Sequence, residues 1–331
     1  MPDVVRYGVI STAQIAINRH LPAAVESHNS EVVAISSRTP ERAEQAAKDN
    51  DIERWYGTYE EMLADPDIDA VINPLPNSMH HEWTIKAAEA GKHILCEKPI
   101  AVTMAEVREM IAAAEANGVL LVEAFMHRLN PHMRRVRQLV AEGVIGEPRH
   151  FAAVLAFTSR DTATDVRLKP DLAGGGMWDA GCYAVSAARF ILSAEPTSAA
   201  AFSYDSGNFG VDTTFSGLLE FPGGAVAHVR SSVEQPRTNM GEVIGTAGKI
   251  LIPSLFEEDT SIIIEDADGN QRVEEFDGPP RFTVQISDFS DCVLNGTTPE
   301  FPPADGLRNT AAMVALYGSA GSGNIEPVER V

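Results

Sequence analysis

The amino-terminal part of the chain alternates short apolar segments with longer stretches of helical periodicity. The apolar segments cover residues 4–10, 31–35, 70–73, 93–96 and 119–122. Short continuous apolar runs that alternate with helices are typical of parallel strands buried on both faces. This alternation predicts a doubly wound parallel sheet, that is, an α/β domain.

The pattern changes from about residue 147. Strand-like segments at residues 149–157, 213–220, 225–232 and 261–265 follow one another, with Gly, Pro and Asp turns between them. Helical patterns lie at residues 179–192, 282–294 and 306–318. Consecutive strands without intervening helices favour an open, mainly antiparallel sheet. A chain of 331 residues is long enough for two domains, and we predict an α/β domain at 1–127 and an α+β domain at 128–331.

The first apolar segment ends in a tight turn before a helical pattern. Ser11, Thr12 and Ala13 form this turn, and Gln14 and Ile15 begin the helical pattern. A helix amino terminus offers free N–H groups and a positive dipole end to a pyrophosphate. Of the usual G-x-G-x-x-G/A glycines, the turn keeps only one, Gly8, so the match is weak by itself. The arrangement nevertheless predicts a dinucleotide-binding (Rossmann) domain.

The second strand ends in Ser36-Ser37-Arg38. In NAD-selective enzymes an acidic residue at this strand end accepts hydrogen bonds from the ribose 2′-hydroxyl. Here no acid is present, whereas serine hydroxyls and a guanidinium suit a 2′-phosphate. We therefore predict NADP as the cofactor, with NAD as the alternative. The alternative for Arg38 itself is a solvated loop residue with no role in cofactor binding.

A lysine follows the fourth apolar segment. The tripeptide Glu97-Lys98-Pro99 stands where the run His93-Ile94-Leu95-Cys96 ends. Open α/β sheets bind ligands in the crevice outside the carboxyl ends of their strands. Proline fixes its own φ and restricts the residue before it, so the lysine amine is held in one direction. We predict that Lys98 points into a ligand cleft.

Polar or rigid residues follow two further strands. Pro74-Leu75-Pro76-Asn77-Ser78 begins a helix whose first turn includes His80, and Glu123-Ala124-Phe125-Met126-His127-Arg128 follows the last strand. Each segment alone could be a cap or a turn. Because the carboxyl ends of parallel strands meet at one sheet edge, the set predicts a cleft for cofactor and substrate.

The second dense motif is Gly174-Gly175-Gly176-Met177-Trp178-Asp179-Ala180-Gly181-Cys182-Tyr183. Three glycines let a backbone turn sharply or approach a ligand closely. Asp179 and Tyr183 are four residues apart, so they project from one face of a helix. Two interpretations remain open: a ligand-binding face, or a capping aspartate above a buried aromatic ring.

The chain is strongly acidic, with 26 basic and 47 acidic residues and a formal net charge of −21. Such a surface repels nucleic acid, which is bound through basic faces. An ordinary acidic cytosolic enzyme fits this composition. So does a halophilic protein, in which salt screens the repulsion between carboxylates. The halophilic hypothesis predicts that folding and activity require molar salt.

Other composition features narrow the class of protein. The apolar runs are too short to cross a bilayer, and no basic region precedes an apolar stretch at the amino terminus. Cys96, Cys182 and Cys292 are scattered without metal-ligand spacing, which indicates reduced thiols. We expect a cytoplasmic protein with no metal site.

Taken together, these motifs resemble the glucose–fructose oxidoreductase, inositol dehydrogenase and rhizopine catabolism (Gfo/Idh/MocA) family of NAD(P)-dependent oxidoreductases. The resemblance spans nearly the whole chain and is carried by residues 8–13, 76–80, 97–99, 123–126, 174–183 and 245–250. The Phe125-Met126-x-Arg128 segment and a tyrosine at position 183 are most similar to the branch of aldose 1-dehydrogenases and dimeric dihydrodiol dehydrogenases. This family is built from a Rossmann domain followed by a substrate-binding and oligomerisation domain.

The resemblance implies roles for individual residues. Lys98 and Tyr183 would form the catalytic pair, and Asp179 would help to hold the substrate. The implied cofactor-binding residues are Gly8, Ser11, Thr12, Ala13, Gln14, Ile15, Ser37, Arg38, Pro74, Leu75, Pro76, Asn77, His80, Glu97, Lys98, Glu123 and Met126. The implied substrate-binding residues are Lys98, Phe125, Arg160, Trp178, Asp179 and Tyr183.

The implied pair is chemically sufficient for hydroxyl oxidation. A free tyrosine has a pKa near 10, and lowering it to about 8 requires roughly 2.7 kcal/mol. An ammonium at ~4 Å supplies ~4 kcal/mol at an effective dielectric constant of about 20. Lys98 could therefore tune Tyr183, and which of the two takes the proton stays open.

The leading hypothesis is an NADP-dependent dehydrogenase that oxidises C1 of an aldose, such as D-xylose, to the lactone. The same machinery would also serve a trans-dihydrodiol, an anhydro-sugar or an inositol. A different class, a dinucleotide-binding regulator without turnover, is the third hypothesis. We expect a homodimer or homotetramer through the open sheet of the second domain, because an uncovered sheet face must be buried.

Overall fold

The computed structural model describes residues 4–159, 161–257 and 260–331. The chain folds into two compact units. The first unit contains the residues up to Met126 together with Pro280–Leu307, and the second contains His127–Pro279 and Arg308–Val331.

The first unit is built on a six-stranded sheet whose described pairings are all parallel, in the order β3-β2-β1-β4-β5-β6. The strands are β1 (Val5–Ile10), β2 (Ser30–Ser36), β3 (Arg54–Tyr56), β4 (Ala70–Asn73), β5 (His93–Cys96) and β6 (Leu121–Glu123). The strand order reverses between β1 and β4, which is where doubly wound sheets bind ligands. The predicted Rossmann sheet is confirmed. The edge strand β3 was not predicted, because three residues carry too little periodicity.

Helices connect these strands. A π-helical turn, Ala16–His20, leads into α1 (Leu21–Glu26). The other helices are α2 (Pro40–Asp49), α3 (Tyr59–Leu63), α4 (Asn77–Glu89) and α5 (Met104–Asn117). Thr103 and Glu106 form a capping box at the start of α5, and Gly118 ends that helix in the left-handed region.

The second unit is built on a nine-stranded sheet in the order β14-β13-β12-β11-β7-β10-β9-β8-β15. Its strands are β7 (Pro148–Thr158), β8 (Ser198–Tyr204), β9 (Thr214–Glu220), β10 (Val226–Ser232), β11 (Glu234–Gly245), β12 (Gly248–Ile252), β13 (Thr260–Asp266), β14 (Gln271–Phe276) and β15 (Glu326–Pro327). Among the described pairings only β7 with β10 is parallel, so the predicted, mainly antiparallel sheet is confirmed.

Helices cover one face of this sheet. They include α6 (Pro131–Ala141) and α7 (Cys182–Leu192), which a π-helical turn at Met177–Gly181 precedes. On the other face Phe202, Leu218 and Met240 are 83%, 46% and 47% exposed. The second unit therefore presents an open sheet face with apolar side chains.

The helix α8 (Arg281–Asn295) belongs to the first unit, although the sequence prediction placed it in a domain of residues 128–331. Ile286 and Phe289 are buried, and the Phe289 ring lies 6.4 Å from the ring of Tyr7 on β1. The Tyr7 hydroxyl also lies 2.8 Å from Ser290 Oγ. The apolar face of α8 thus completes the first core. The last helix, α9 (Pro303–Ser322), begins in the segment grouped with the first unit and continues into the second. No helix within the described part of the chain is long and apolar enough to span a bilayer.

Candidate active site

The turn after β1 has the backbone that the sequence predicts. Ser11 adopts a φ of 103°, and its Oγ accepts a hydrogen bond from the N–H of Ala13 over 3.2 Å. Helical backbone then begins at Gln14. Gly8 lies inside β1, where an added Cβ would come within 3.0 Å of Ile68 Cδ1 and 3.1 Å of Met62 Sδ. A methyl group at position 8 would therefore force the Ile68 and Met62 side chains to shift within the first core.

The end of β2 carries hydroxyl and guanidinium groups. Ser37 is buried and accepts a hydrogen bond from the N–H of Thr39 over 3.2 Å, whereas Arg38 is exposed. Burial raises the pKa of Tyr59, and the charge of Arg38 opposes this shift, which places the guanidinium beside that ring. Hydroxyl and guanidinium donors without a carboxylate suit the 2′-phosphate of NADP better than the free 2′-hydroxyl of NAD.

The tripeptide at 97–99 follows β5 directly. The N–H of Glu97 donates to the carbonyl of Asn73 at the end of β4 over 3.0 Å. The Glu97 carboxylate is buried and contacts His20 Nε2 at 2.8 Å and the N–H of Lys98 at 3.2 Å. Burial alone would raise the pKa of Glu97, but the His20 hydrogen bond and the charges of His20 and Lys98 hold it below its ordinary value. The carboxylate is thus ionised and held in place.

His80 supports two loops from within the first core. Its Nδ1 lies 2.8 Å from the carbonyl oxygen of Pro99, and its Nε2 lies 2.7 Å from that of Leu75. The ring is fully buried, and burial lowers its pKa although both carbonyls oppose the shift. The described contacts of the His80 ring are therefore with backbone. They tie the loop of Pro74, Leu75 and Pro76 to the loop that carries Lys98.

The segment after β6 is fixed in a similar way. Glu123 Oε1 accepts a hydrogen bond from the N–H of Ile100 over 2.8 Å. The side-chain amide oxygen of Gln285, on α8, accepts hydrogen bonds from the backbone N–H groups of Phe125 (3.2 Å) and Met126 (3.1 Å). The loops after β4, β5 and β6 thus form one supported edge of the sheet, around Asn77 and Lys98.

Tyr183 lies at the start of α7 in the second unit. Its ring centroid is 5.3 Å from that of His127 and 5.5 Å from that of Phe256. His127 and Phe256 also meet edge to face at 5.4 Å. This triad buries most of the tyrosine ring and fixes its direction.

Asp179, on the π-helical turn before α7, accepts a hydrogen bond from Arg167 Nε over 2.6 Å. The same guanidinium lies 3.2 Å from Asp165 Oδ1. Arg160, a predicted substrate-binding residue, falls outside the described residues. Lys98 belongs to the first unit and Asp179 and Tyr183 to the second, so their pairing stays a prediction.

The glycine motif packs against its own chain. Gly175 adopts a φ of 127°, and a Cβ there would lie 2.5 Å from Asp212 Oδ1. A Cβ at Gly174 would lie 2.5 Å from the carbonyl oxygen of Arg167. Glycine is therefore needed for close approach to these two residues.

Trp178 and Asp212 border a cavity of about 440 Å³ in the second unit. Trp178 stacks on Tyr317 with ring centroids 5.0 Å apart, and the Tyr317 hydroxyl donates to Asp212 Oδ1 over 2.6 Å. Asp212 Oδ2 accepts the N–H of Met177 over 2.7 Å. Burial raises the pKa of Asp212, against the lowering effect of these hydrogen bonds.

The predicted site left out several residues that contact its members or their immediate neighbours, among them His20, His127, Arg167, Asp212, Phe256, Gln285 and Tyr317. Each is distant in sequence from its partner or lies in a loop without periodicity. His127 had the clearest signal, because it directly follows the predicted Phe125-Met126 segment. The others carry no local pattern that distinguishes them from surface residues.

Comparisons with known proteins agree with the two sheets described above. A family described as "Oxidoreductase family, NAD-binding Rossmann fold" matches residues 5–125, and the "GFO/IDH/MocA C-terminal domain" matches residues 133–251. D-xylose 1-dehydrogenase (NADP(+)) 2 of Haloferax volcanii is 37% identical over 96% of this chain and 98% of its own length.

Solved structures are also similar over nearly the whole chain. The aldose-aldose oxidoreductase of Caulobacter crescentus, complexed with glycerol, has a TM-score of 0.91 and 29% identity, and the match covers 98% of this chain and 99% of that one. KijD10, a 3-ketoreductase from Actinomadura kijaniata in complex with NADP and TDP-benzene, has a TM-score of 0.90 and 32% identity. That match covers 96% of this chain and 98% of KijD10.

Proposed function

We propose that this chain, which belongs to the Gfo/Idh/MocA family of oxidoreductases, is an NADP-dependent dehydrogenase that oxidises C1 of an aldose such as D-xylose. The observation that carries the proposal is the support given to the Lys98 loop. His80 contacts the carbonyl of Pro99, and Glu123 accepts the N–H of Ile100. A lysine held this firmly at the carboxyl end of β5 suits a catalytic role.

The proposed chemistry divides between the two units. When bound, NADP⁺ would supply the hydride acceptor for the oxidation of C1 of the sugar. Tyr183 removes the proton of the C1 hydroxyl, so that the C–O bond becomes the lactone carbonyl. We propose that Lys98 tunes Tyr183 as the acid/base, and that Asp179, held by Arg167, accepts a hydrogen bond from a further sugar hydroxyl.

The cofactor preference rests on the end of β2. Arg38 is exposed beside a buried Ser37, and no acidic residue occupies this strand end. We propose that Arg38 pairs with the 2′-phosphate of NADP. The turn at Ser11 and the helix that begins at Gln14 hold the pyrophosphate.

The assay that tests this function follows reduction of NADP⁺ and NAD⁺ at 340 nm with aldoses, inositols, an anhydro-sugar and a trans-dihydrodiol, in molar salt. We expect NADPH formation with a pentose or hexose. Turnover of only a diol or an inositol would change the substrate class, and cofactor binding without any turnover would favour the regulator. The variants Lys98→Met and Tyr183→Phe are expected to lose about 10²–10⁴-fold in kcat. Their controls, Lys48→Met and Tyr56→Phe, are expected to keep wild-type kcat, and a Tyr183→Phe enzyme as fast as wild type would contradict the mechanism.

We also propose that the protein forms a homodimer or homotetramer through the open face of the nine-stranded sheet. Phe202, Leu218 and Met240 expose apolar surface on this face. Light scattering is expected to show an oligomer at micromolar concentration, which Leu218→Arg with Met240→Arg should dissociate. A monomeric wild-type protein would exclude this assembly.

A further inference from the structure

His20 makes a buried contact with the residue that precedes Lys98. Its Nε2 lies 2.8 Å from Glu97 Oε1, and the other oxygen of the same carboxylate accepts the N–H of Lys98 over 3.2 Å. Because the Glu97 carboxylate is ionised, the Nε2 of His20 carries the hydrogen of this bond. One carboxylate therefore joins the His20 ring to the Lys98 backbone.

The position of His20 depends on the π-helical turn at Ala16–His20. This turn continues the helix that begins at Gln14, directly after the predicted pyrophosphate-binding turn. Single π turns within helices often occur at functional sites. Here the π-helical turn ends at His20, and the His20 side chain contacts Glu97 in the loop after β5.

The His20 ring makes few other polar contacts. It is fully buried and meets Phe282 on α8 edge to face, with centroids 5.3 Å apart. Within residues 4–159, 161–257 and 260–331, its Nδ1 has no hydrogen-bond partner. A phenylalanine would fill this space without a buried, unsatisfied nitrogen. The contact with Glu97 is thus the polar interaction that distinguishes histidine from phenylalanine here.

We propose that His20 is a positioning residue for Lys98, which it holds in place through the Glu97 carboxylate. This inference rests on the proposed role of Lys98 in hydride-transfer chemistry. The inference adds His20, on the helix that follows the predicted pyrophosphate-binding turn, to the residues that support Lys98. Without His20, the Glu97 side chain keeps its burial and the hydrogen bond from the Lys98 N–H, but it loses the donor that fixes its direction. The Lys98 backbone then has an acceptor that is free to turn.

The pH dependence of activity reports on this arrangement. The titratable groups described around the Glu97 carboxyl are His20, Lys98, His80 and Cys96. Since His20 helps to hold the pKa of Glu97 below its ordinary value, its removal lets that pKa rise. Protonation of Glu97 adds a further loss of kcat at the acid end of the profile, below the limb set by Tyr183, and this added loss should then begin at higher pH. Its onset is the acid limb followed below.

The test compares His20→Phe, His20→Gln, Glu97→Gln and the double variant His20→Phe/Glu97→Gln, with exposed His28→Gln as the control. We expect kcat with D-xylose, or the best substrate of the panel, to fall about tenfold in His20→Phe. The glutamine at position 20 can still donate to Glu97 and should restore part of the rate. The double variant should be no slower than Glu97→Gln alone, because both substitutions break the same connection, the contact between His20 and the Glu97 carboxylate.

Binding of NADPH, followed by its fluorescence, distinguishes positioning from general damage. For a positioning residue, the Kd should stay within about twofold of wild type while kcat falls and the acid limb shifts. Wild-type kcat and an unshifted acid limb in His20→Phe, or additive losses in the double variant, would overturn the inference. If His20→Phe does not fold, the rate and pH profile of His20→Gln against Glu97→Gln decide in the same way.

Lys98→Met, assayed in parallel, separates this inference from the function on which it rests. If Lys98→Met keeps wild-type turnover, the proposed function itself fails. If Lys98→Met is inactive and His20→Phe equals wild type, only the positioning role of His20 fails.

Discussion

Arg167 donates its Nε hydrogen to Asp179 Oδ2 over 2.6 Å, within the second unit. The guanidinium also lies over the Phe157 ring, 5.3 Å from its centroid. The charge of Asp179 is the main cause that raises the pKa of Arg167, so the arginine stays ionised beside the carboxylate. A loop arginine thus fixes the aspartate that we propose to hold the sugar.

Replacing Arg167 with methionine should raise the KM for the sugar about fivefold, with a smaller change in kcat. The pair is part-exposed, so its hydrogen bond contributes about 1 kcal/mol after solvent screening. Steady-state kinetics measure the change. Arg149→Met, at an exposed site, is the control, and an unchanged KM in Arg167→Met would remove the arginine from substrate binding.

Arg38→Ala should lower kcat/KM for NADP⁺ about 30-fold and leave that for NAD⁺ nearly unchanged. Charge-assisted hydrogen bonds to a phosphate contribute about 2 kcal/mol, and NAD⁺ has no phosphate at this position. The ratio of the two kcat/KM values is the measurement. Lys48→Ala removes a positive charge from the end of α2 and should not change the ratio. An equal loss with both cofactors would assign Arg38 a structural role.

Gly8→Ala should destabilise the protein by about 1–2 kcal/mol. The new methyl group meets Ile68 Cδ1 at 3.0 Å and Met62 Sδ at 3.1 Å, so these side chains must shift within a packed core. Denaturant unfolding measures the loss. Gly321→Ala, on α9 with no neighbouring atom within 4 Å of the added Cβ, should instead stabilise by about 0.5–1 kcal/mol. An unchanged free energy of unfolding in Gly8→Ala would mean that Ile68 and Met62 can shift without any loss of packing.

Above pH 3.8, the ordinary pKa of the carboxyl, the free energy of unfolding of Asp212→Asn should change less with pH than that of wild type. Burial raises the pKa of Asp212 from its ordinary 3.8, so above that value the folded protein binds more protons than the unfolded chain. Stability from this group is complete below pH 3.8 and is lost as pH rises through the folded pKa. Unfolding curves of wild type and variant between about pH 4 and 7 test this. Parallel pH profiles would show that Asp212 does not titrate in this window.

Salt dependence tests the halophilic hypothesis. A net charge of −21 creates repulsion that molar salt screens, so unfolding midpoints and activity should rise from low salt to molar KCl. Equal concentrations of KCl and a neutral osmolyte separate charge screening from general exclusion effects. Full activity and stability in low salt would instead indicate an ordinary acidic enzyme.

The sequence alone identified both sheets and the strand ends at which we propose the site. Helical and strand periodicities are local properties, so the alternation up to β6 could be recognised without knowing any contact. The ends of parallel strands carry ligand sites by topology, which is why Lys98 and the loops around Asn77 and Glu123 could be singled out. The glycine motif was also recognised, although its glycines turned out to accommodate Asp212 and Arg167.

Only the tertiary structure decided which distant residues support these positions. His20 meets Glu97 across 77 positions in sequence, and Tyr317 meets Asp212 across 105. It also decided that α8 completes the first core, since an amphipathic helix shows that it has an apolar face and not which sheet that face will cover. Local sequence specifies periodicity and turn chemistry. The partners of buried polar and apolar groups follow instead from how the whole chain packs.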